Sequence, residues 1–437
     1  MRQWLLPVVC LSVVLPGAAS VSAAPPPLAA RIAAAAEAAQ SKLVTWRRDF
    51  HQHPELSNRE ERTSRIVAEH LRALGMEVKT GVAHHGVVGL LVGGKPGPVV
   101  ALRADMDALP VTEEVDLPFA SKVRSTYNGQ EVGVMHACGH DAHTAILMGV
   151  AEVLAGIKSE LPGTVKFIFQ PAEEGSPPGE EGGAKLMVEQ GVLDAPKPSA
   201  IFGLHVVPMA EAGEVVFRAG GQLAASDRLR ITIKGRQAHG GMPWQGIDPV
   251  VVASQTVLAL QTVASRQVNP LPGPVVITVG SIHGGVRHNI VPEVVELAGT
   301  VRTFDAAVRE DVHRRIRETV LHVAAASGAT AEVVLDQGNP VTFNDPALTR
   351  RMAPTVERVA GPGKVRETLP VTWAEDFAVF QQQIPGFFLF LGIRPPGTPA
   401  EAAAPNHSPR FFVDERALPL GVKVLANLAV DYLSGGP

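Results

Sequence analysis

The sequence predicts an α/β protein with a large mixed sheet and a smaller α+β domain inserted into it. From Val87 onward, short runs of β-branched and aromatic residues alternate with helix-like stretches. Continuous apolar strands of this kind are typical of a parallel or mixed sheet that helices cover on both faces. Residues 226–337 follow the order βαββαβ, which is the split βαβ unit of ferredoxin-like domains.

The composition is typical of a folded protein and argues against one class of partner. At 437 residues, the protein is long enough for two or three domains. Hydrophobic residues make up 46% and charged residues 19% of the chain, values that exclude a disordered protein. The net charge of −4 provides no basic field for a phosphate backbone, so we expect no nucleic-acid partner.

The first segment has the layout of a cleavable secretory signal. Arg2 precedes an apolar stretch over residues 4–15, and small residues lead to Ala23. The alternative is an uncleaved membrane anchor, but the apolar stretch is shorter than the roughly 20 residues of a membrane span. We therefore expect residues 1–23 to be removed and the mature protein to be periplasmic or secreted, without a membrane partner.

We divide the remaining chain into a large domain, residues 28–220 and 338–437, and an inserted domain, residues 221–337. Strands of a covered sheet place functional side chains where the strands end. The predicted elements of the large domain are a helix at 28–52, strands at 87–93, 99–105, 164–170 and 201–206, a helix at 346–360, a strand at 387–394 and a helix at 415–433.

The inserted domain is predicted from alternating strands and two long helical patterns. The predicted elements are a strand at 229–235, a helix at 248–268, strands at 275–282 and 294–304, a helix at 306–328 and a strand at 329–336.

The only cysteine left after signal cleavage suggests a metal site. Cys138 and His140 stand two residues apart in an irregular turn, where a thiolate and an imidazole can converge on one ion. Metal binding also protects a lone thiol in an oxidising compartment. The alternative, that the histidines here only cap the following helix, stays open at this point.

Two neighbouring glutamates follow the predicted strand at 164–170. Glu173 and Glu174 leave the strand end pointing in different directions, so one carboxylate can bind metal while the other acts as a general base. His205 stands at another predicted strand end, and His407 stands in a loop near the C-terminus. Their positions favour a shared site over two solvated loop acids.

Asp107 follows the predicted strand at 99–105. An aspartate beside a metal-binding histidine commonly accepts the second ring N–H and fixes the tautomer. We assign this role to Asp107, and the alternative is an ordinary acid at a strand end.

Several motifs in the same order resemble one family. Between Trp46 and Leu433 the chain is similar to the dinuclear metallopeptidases of the aminoacylase type, and within them to the amidohydrolases that include hippurate hydrolases, indole-acetyl-amino-acid hydrolases and N-acyl-L-amino acid amidohydrolases. The motifs are RADMDALP, HACGHDAHTA, FIFQPAEEG, GLHV, AHGGMPWQGIDP, GGVRHNIVPE, AEDFA and NHSPRFFVDERAL.

The resemblance implies a phosphorylase/hydrolase-like catalytic domain that binds two divalent metal ions. Zn²⁺ or Mn²⁺ is expected, with Co²⁺ or Ni²⁺ as alternatives. Glu173 matches the catalytic base and Asp107 the acid that orients a ligand histidine. The metal ligands implied are Cys138, which bridges the ions, and His140, Glu174, His205 and His407.

The resemblance also implies that the inserted domain is both a lid and the dimerisation domain of a homodimer. His239 matches the residue that helps polarise the scissile carbonyl, commonly from the partner subunit. Asn289 and Arg302 match positions associated with the substrate carboxylate. The chain departs from the usual GSEDFA pattern at Trp373, where an indole stands beside the pocket and leaves the acyl-group preference open.

The expected function is metal-dependent hydrolysis of the amide bond in N-acyl amino acids or short peptides with a free C-terminal carboxylate. A water that bridges the metals attacks the amide, and Glu173 takes its proton. The alternatives are a metallocarboxypeptidase or dipeptidase of the same family, or a non-catalytic exported solute-binding protein.

Overall fold

The computed structural model describes residues 27–436, so the predicted signal at residues 1–23 lies outside the described part. The strands are β1 Glu77–Val82, β2 Gly86–Val92, β3 Lys95–Asp105, β4 Arg124–Tyr127, β5 Gln130–Gly133, β6 Pro162–Gln170, β7 Ala200–Glu211, β8 Val215–Phe217, β9 Gly220–Leu223, β10 Ala225–Lys234, β11 Ala238–His239, β12 Val276–Gly284, β13 Ile290–Val291, β14 Val294–Thr303, β15 Thr330–Gln337, β16 Thr342–Asn344, β17 Val365–Glu367 and β18 Gly386–Arg394. The α-helices are α1 Leu28–Ala38, α2 Gln40–Gln52, α3 Glu61–Ala73, α4 His140–Ala155, α5 Gly183–Glu189, α6 Pro249–Thr262, α7 Ala306–Ala326, α8 Pro346–Ala360, α9 Phe377–Gln381 and α10 Leu418–Leu433.

The large domain is built on an eight-stranded mixed sheet in the order β1-β2-β6-β3-β7-β18-β8-β17. The four central strands β6, β3, β7 and β18 are parallel to one another, whereas β2 pairs with β6 and β8 pairs with β18 in the antiparallel direction. These strands are buried along most of their length because helices cover the sheet. The predicted α/β fold class is confirmed.

The central parallel strands bring their carboxyl ends to one edge. Asp105 pairs with Gln170 on β6, and Arg103 pairs with Gly203 on β7. His205, two residues after Gly203, therefore lies level with Asp105. The residues that follow β3 and β6 leave the sheet at this same place, which is where a covered α/β sheet concentrates its chemistry.

The inserted domain contains a four-stranded antiparallel sheet in the order β12-β14-β10-β15, with α6 and α7 packed on it. This is the strand order of the split βαβ unit. The alternation of β10 buries Leu229, Ile231 and Ile233 against the helices and leaves Arg230 exposed.

The chain enters and leaves the inserted domain at neighbouring positions. Ser226 N donates to Asn339 O (2.9 Å), and Gly338 N donates to Ser226 O (2.9 Å). Just outside these bonds, β9 pairs with β16. The exact boundaries of residues 221–337 stay a prediction.

Several local predictions needed correction. The predicted helix at 28–52 is two helices that meet at Ala39, although helical hydrogen bonding continues there from Leu43 N to Ala39 O (3.0 Å). The predicted helix at 248–268 ends as an α-helix at Thr262 and continues as a π-helical turn.

In residues 27–436, no helix has both the length and the apolar character that a bilayer span needs.

Candidate active site

Cys138 lies in a sharp turn that leads into α4. Gly139 has φ +93°, and a Cβ there would lie 2.3 Å from a methyl carbon of Val206. Only glycine fits this turn, because its conformation is left-handed and the neighbouring strand leaves no space for a side chain. The turn brings the buried Cys138 Sγ to 3.3 Å from His205 Nε2.

His140 and His205 both direct an Nε2 atom into the same group. His205 Nδ1 donates to Val206 O (2.9 Å), which leaves Nε2 towards Cys138. His140 Nδ1 lies 3.2 Å from Asp107 Oδ1, while its buried Nε2 has no hydrogen-bond partner among the described residues. An unpartnered imidazole nitrogen beside a thiol is the arrangement that a metal ligand requires.

Asp107 is held from three sides. Its carboxylate accepts hydrogen bonds from Ser57 Oγ (2.7 Å), Glu173 N (3.1 Å) and Glu174 N (3.0 Å). The same carboxylate therefore fixes the turn after β6 and faces the ring of His140. Its predicted role of orienting a ligand histidine fits this geometry.

Glu174 and His407 complete the cluster from two distant loops. His407 Nε2 lies 3.1 Å from Glu174 Oε1. The loop of His407 is anchored to the turn of Cys138, since His407 N donates to Ala137 O (2.8 Å) and Asn406 Nδ2 donates to Cys138 O (3.1 Å).

The donor atoms form overlapping groups within 4.8 Å. One contains Cys138, His140 and His205, and another contains Cys138, Glu174 and His407. Cys138 belongs to both, so its thiolate is placed where two ions can share it. Glu173 lies beside them, with Oε2 3.9 Å from His140 Nε2.

The cluster is strongly acidic. Burial raises the pKa of Glu173 well above its ordinary value, and the charges of Glu375, Glu174 and Asp376 raise it further. Burial alone would lower the pKa of His140, but Asp105 and Asp107 raise it to about 10. Buried negative charge in such excess needs cations, so this donor set fits divalent metal ions.

Sequence reasoning missed the buried arginine that supports the cluster. Arg103 donates to Asp105 (2.7 Å), Glu375 (2.9 Å), Asp376 (3.0 Å) and Gln170 (2.8 Å). The available signal was a charged residue inside the apolar run VVALRAD, because a buried cation requires acidic partners.

A second support holds β3 to β7 through His143. Its Nδ1 donates to Asp105 Oδ1 (2.6 Å), and its Nε2 accepts from Val206 N (2.8 Å). These contacts fix the ring of His143 between Asp105 and the backbone next to His205, beside the donor cluster.

A cavity of about 580 Å³ opens over the cluster. This volume suits a small molecule. Arg302 lines the cavity, whereas His239 and Asn289 do not. His239 is exposed on β11, which pairs with β13 next to Asn289. Within one chain, the structure therefore brings together all the predicted residues of the large domain and Arg302, but not His239 or Asn289.

Residues 101–431 match the sequence profile described as Peptidase family M20/M25/M40. The chain belongs to this family. Membership confirms the resemblance to the aminoacylase-type metallopeptidases and the prediction of a hydrolytic enzyme.

Several named proteins resemble this chain along nearly its whole length. Thermostable carboxypeptidase 1 of Saccharolobus solfataricus is 41% identical over 392 residues, 89% of this chain and 95% of that protein. IAA-amino acid hydrolase ILR1-like 5 of Arabidopsis thaliana is 40% identical over 395 residues, 90% of this chain and 86% of that protein. The crystal structure of Bacillus subtilis YXEP, described as a dinuclear metal binding peptidase from the M20 family, is 35% identical with a TM-score of 0.77 and covers 91% of this chain and 99% of YXEP.

Proposed function

We propose that this protein hydrolyses the amide bond of N-acyl amino acids or short peptides that carry a free C-terminal carboxylate. The observation that carries the proposal is the position of Glu173 beside the donor cluster, at a cavity that Arg302 also lines. Arg302 is partly buried, and no carboxylate among the described residues forms an ion pair with it. A cation in this position is available for a substrate carboxylate.

We propose that two divalent metal ions bind in the donor cluster, with Cys138 shared between them. Zn²⁺ and Mn²⁺ are the first choices, and Co²⁺ or Ni²⁺ suit the same mixed ligand set. The overlapping donor groups and the description of YXEP as dinuclear support this proposal. The proposed ligands are Cys138, His140, Glu174, His205 and His407.

In the mechanism, the metal ions supply Lewis-acid activation of the amide carbonyl and of a water nucleophile. Glu173 takes the proton of the attacking water and gives it to the leaving amine, as a general base and then a general acid. Its carboxylate is positioned for this, since Asp376 N donates to Glu173 Oε1 (3.3 Å) and Asp107 holds the Glu173 main chain. Arg302 holds the substrate carboxylate.

We further propose a homodimer in which His239 reaches the active site of the partner subunit, with Asn289 beside it. His239 is exposed and lies outside its own cavity, so it is available to another subunit. Large apolar side chains are exposed on the same domain, which is typical of an interaction face. They include Trp244, Leu258, Ile282 and Val286.

A carboxypeptidase or dipeptidase is the second candidate. It is favoured by the similarity to Thermostable carboxypeptidase 1, and the same Arg302 would hold the C-terminal carboxylate of a peptide. A solute-binding protein is disfavoured, because binding alone gives no reason for Glu173 beside a metal-ligand set.

The test is a hydrolysis panel with metal-free protein reloaded with each of the four metals. N-acyl amino acids, dipeptides and the matching C-terminal amides are compared. We expect hydrolysis of the free acids only with metal present, and a large loss of kcat/KM when the carboxylate is amidated. Metal-free protein as purified, with no chelator-sensitive hydrolysis of any substrate, would instead favour the solute-binding protein.

We also propose that the protein is exported, on the strength of the leader at residues 1–23. Sequencing the N-terminus of the protein recovered from periplasmic and culture fractions tests this. A mature chain that begins at Ala24 is expected.

A further inference from the structure

One wall of the cavity is apolar and includes Trp373, where the chain departs from the usual GSEDFA pattern. Trp373 lines the cavity with an indole that is 41% exposed, beside Leu223, Val379 and Phe390. The rings of Trp373 and Phe390 meet edge to face, with centroids 6.3 Å apart. A partly exposed indole in a cavity offers a large and rigid apolar contact to a ligand.

The backbone holds Trp373 in place on both sides. Ala224 N donates to Trp373 O (2.8 Å), and Leu223 forms an isolated bridge with Val371. Two residues later, Glu375 is paired with the buried Arg103 (2.9 Å). These contacts fix the position of the Trp373 backbone in the cavity wall.

The contacts of Trp373 connect it to the strand of His205 and to the strand that pairs with Arg302. Phe390, its ring partner, pairs with His205 of the donor cluster in the β18–β7 register. At the other end, Ala224 lies two residues before Ser226, which pairs with Arg302. Trp373, His205 and Arg302 all line the same cavity. A substrate held by its carboxylate at Arg302, with its amide at the cluster, therefore lies in the cavity whose wall includes the indole.

We propose that Trp373 is a specificity-determining residue that selects substrates with an aromatic or large apolar group. This inference rests on the proposed function. Two parts of the substrate share the required chemistry: the side chain of the amino acid and the acyl group. The shape of the wall favours a flat ring, because an indole and the edge of a phenyl ring bind flat aromatic groups well.

The test compares ratios of kcat/KM, so that a general loss of activity cancels. The first ratio is N-acetyl-phenylalanine over N-acetyl-alanine, which reports on the side chain. The second is N-benzoyl-alanine over N-acetyl-alanine, which reports on the acyl group. The variants are Trp373→Ala and Trp373→Phe, with Phe343→Ala as the control, because Phe343 is an equally exposed aromatic (42%) outside the cavity.

We expect Trp373→Ala to lower at least one ratio about tenfold, the size typical of one lost apolar contact in a pocket. Trp373→Phe should retain most of the wild-type ratio. Phe343→Ala should leave both ratios within about twofold of their wild-type values. The ratio that falls identifies the part of the substrate involved.

Unchanged ratios in Trp373→Ala, with N-acetyl-alanine still hydrolysed, would overturn the inference and leave the proposed function intact. Wild-type protein that hydrolyses none of these substrates with any metal would instead overturn the proposed function. If Phe343→Ala lowered the ratios as much as Trp373→Ala does, the inference would also be overturned, because the effect would then not depend on the cavity wall.

Discussion

Glu173 and Glu174 are adjacent in sequence but have different surroundings. Both carboxylates lie 3.9 Å from His140 Nε2, but Glu174 also faces His407, whereas Glu173 accepts a hydrogen bond from Asp376 N. The strand end alone suggested that the two carboxylates diverge. The structure adds the reason: Asp107 holds both main-chain N–H groups, so the side chains leave the turn in fixed and different directions.

Replacing Glu173 by Gln should remove proton transfer and leave the ligands in place. We expect turnover to fall by about 10² or more, with metal content unchanged, as measured by steady-state kinetics and metal analysis. Glu181→Gln is the matched control, because Glu181 is an exposed acid after the same strand. Near-normal turnover in Glu173→Gln would remove this residue from the mechanism.

Cys138→Ser should lower metal occupancy more than it lowers the stability of the metal-free protein. The thiolate acts as a ligand, and a hydroxyl of similar size keeps the packing but binds soft divalent metals less well. Metal analysis after dialysis and thermal unfolding of the stripped protein measure the two effects. Rapid alkylation of Cys138 in the metal-loaded wild type without loss of activity would contradict the bridging role.

The sequence could suggest Cys138, His140 and the glutamates because their spacing or position at a strand end is local information. The support given by Arg103 could not be assigned from local patterns, since Arg103 and Glu375 are 272 residues apart along the chain. A buried cation predicts that acids lie near it, but only the sheet order decides which ones.

At the scale of elements, strands with continuous apolar runs were predictable. β3, β6, β7 and β18 each contain the predicted strand. β1 was missed because its sequence, EVKTGV, is largely polar and its burial is mostly low. Strands such as β17 have only three residues and owe their structure to pairing with a neighbour, so their own sequence carries little signal.

One element-scale prediction concerns the contact between β10 and α7. Asp227 on β10 is buried and pairs with Arg309 and His313 on α7. Burial alone would raise the pKa of Asp227, but hydrogen bonds from His313 and Arg309 outweigh it and lower the pKa. The folded protein therefore favours the ionised carboxylate, and this contribution to stability is present above the unfolded pKa and is lost as pH falls through the folded pKa.

Asp227→Ala should reduce the free energy of unfolding at pH 7 by about 3–5 kcal/mol, because a buried guanidinium loses its partner. The difference from wild type should narrow as the pH falls below about 4, the ordinary carboxyl range. Urea unfolding at several pH values measures both. Asp336→Ala is the control, since its ion pair with Arg230 is exposed and should contribute under about 1 kcal/mol. Equal losses in the two variants would refute a special role for Asp227.

At the scale of the whole molecule, the predicted residues of the large domain meet in one cluster, whereas His239 stands apart on the inserted domain. The proposed explanation is a shared site across a homodimer. Sequence could supply the residue types but not their assembly, because a single chain's pattern says nothing about the distance between its domains.

Mixing inactive His239→Ala and Glu173→Gln proteins tests the shared site. In a twofold-symmetric dimer, exchange places an intact Glu173 and an intact His239 in one of the two sites of each mixed dimer. Activity should recover to about one quarter of the wild-type level at equal mixing. Subunit exchange is verified separately by differently tagged chains. Absence of recovery despite exchange would place His239 in its own subunit's site or outside catalysis.

The neighbouring entry and exit of the inserted domain have a further consequence for the architecture of the chain. Asp227 and Gln337 are directly paired residues on antiparallel strands, so their Cα atoms are about 5 Å apart. A two-residue hairpin turn spans such a gap. The inserted domain can therefore be added, exchanged or removed between these two residues, in evolution or by design, without distorting the sheet that carries the donor cluster.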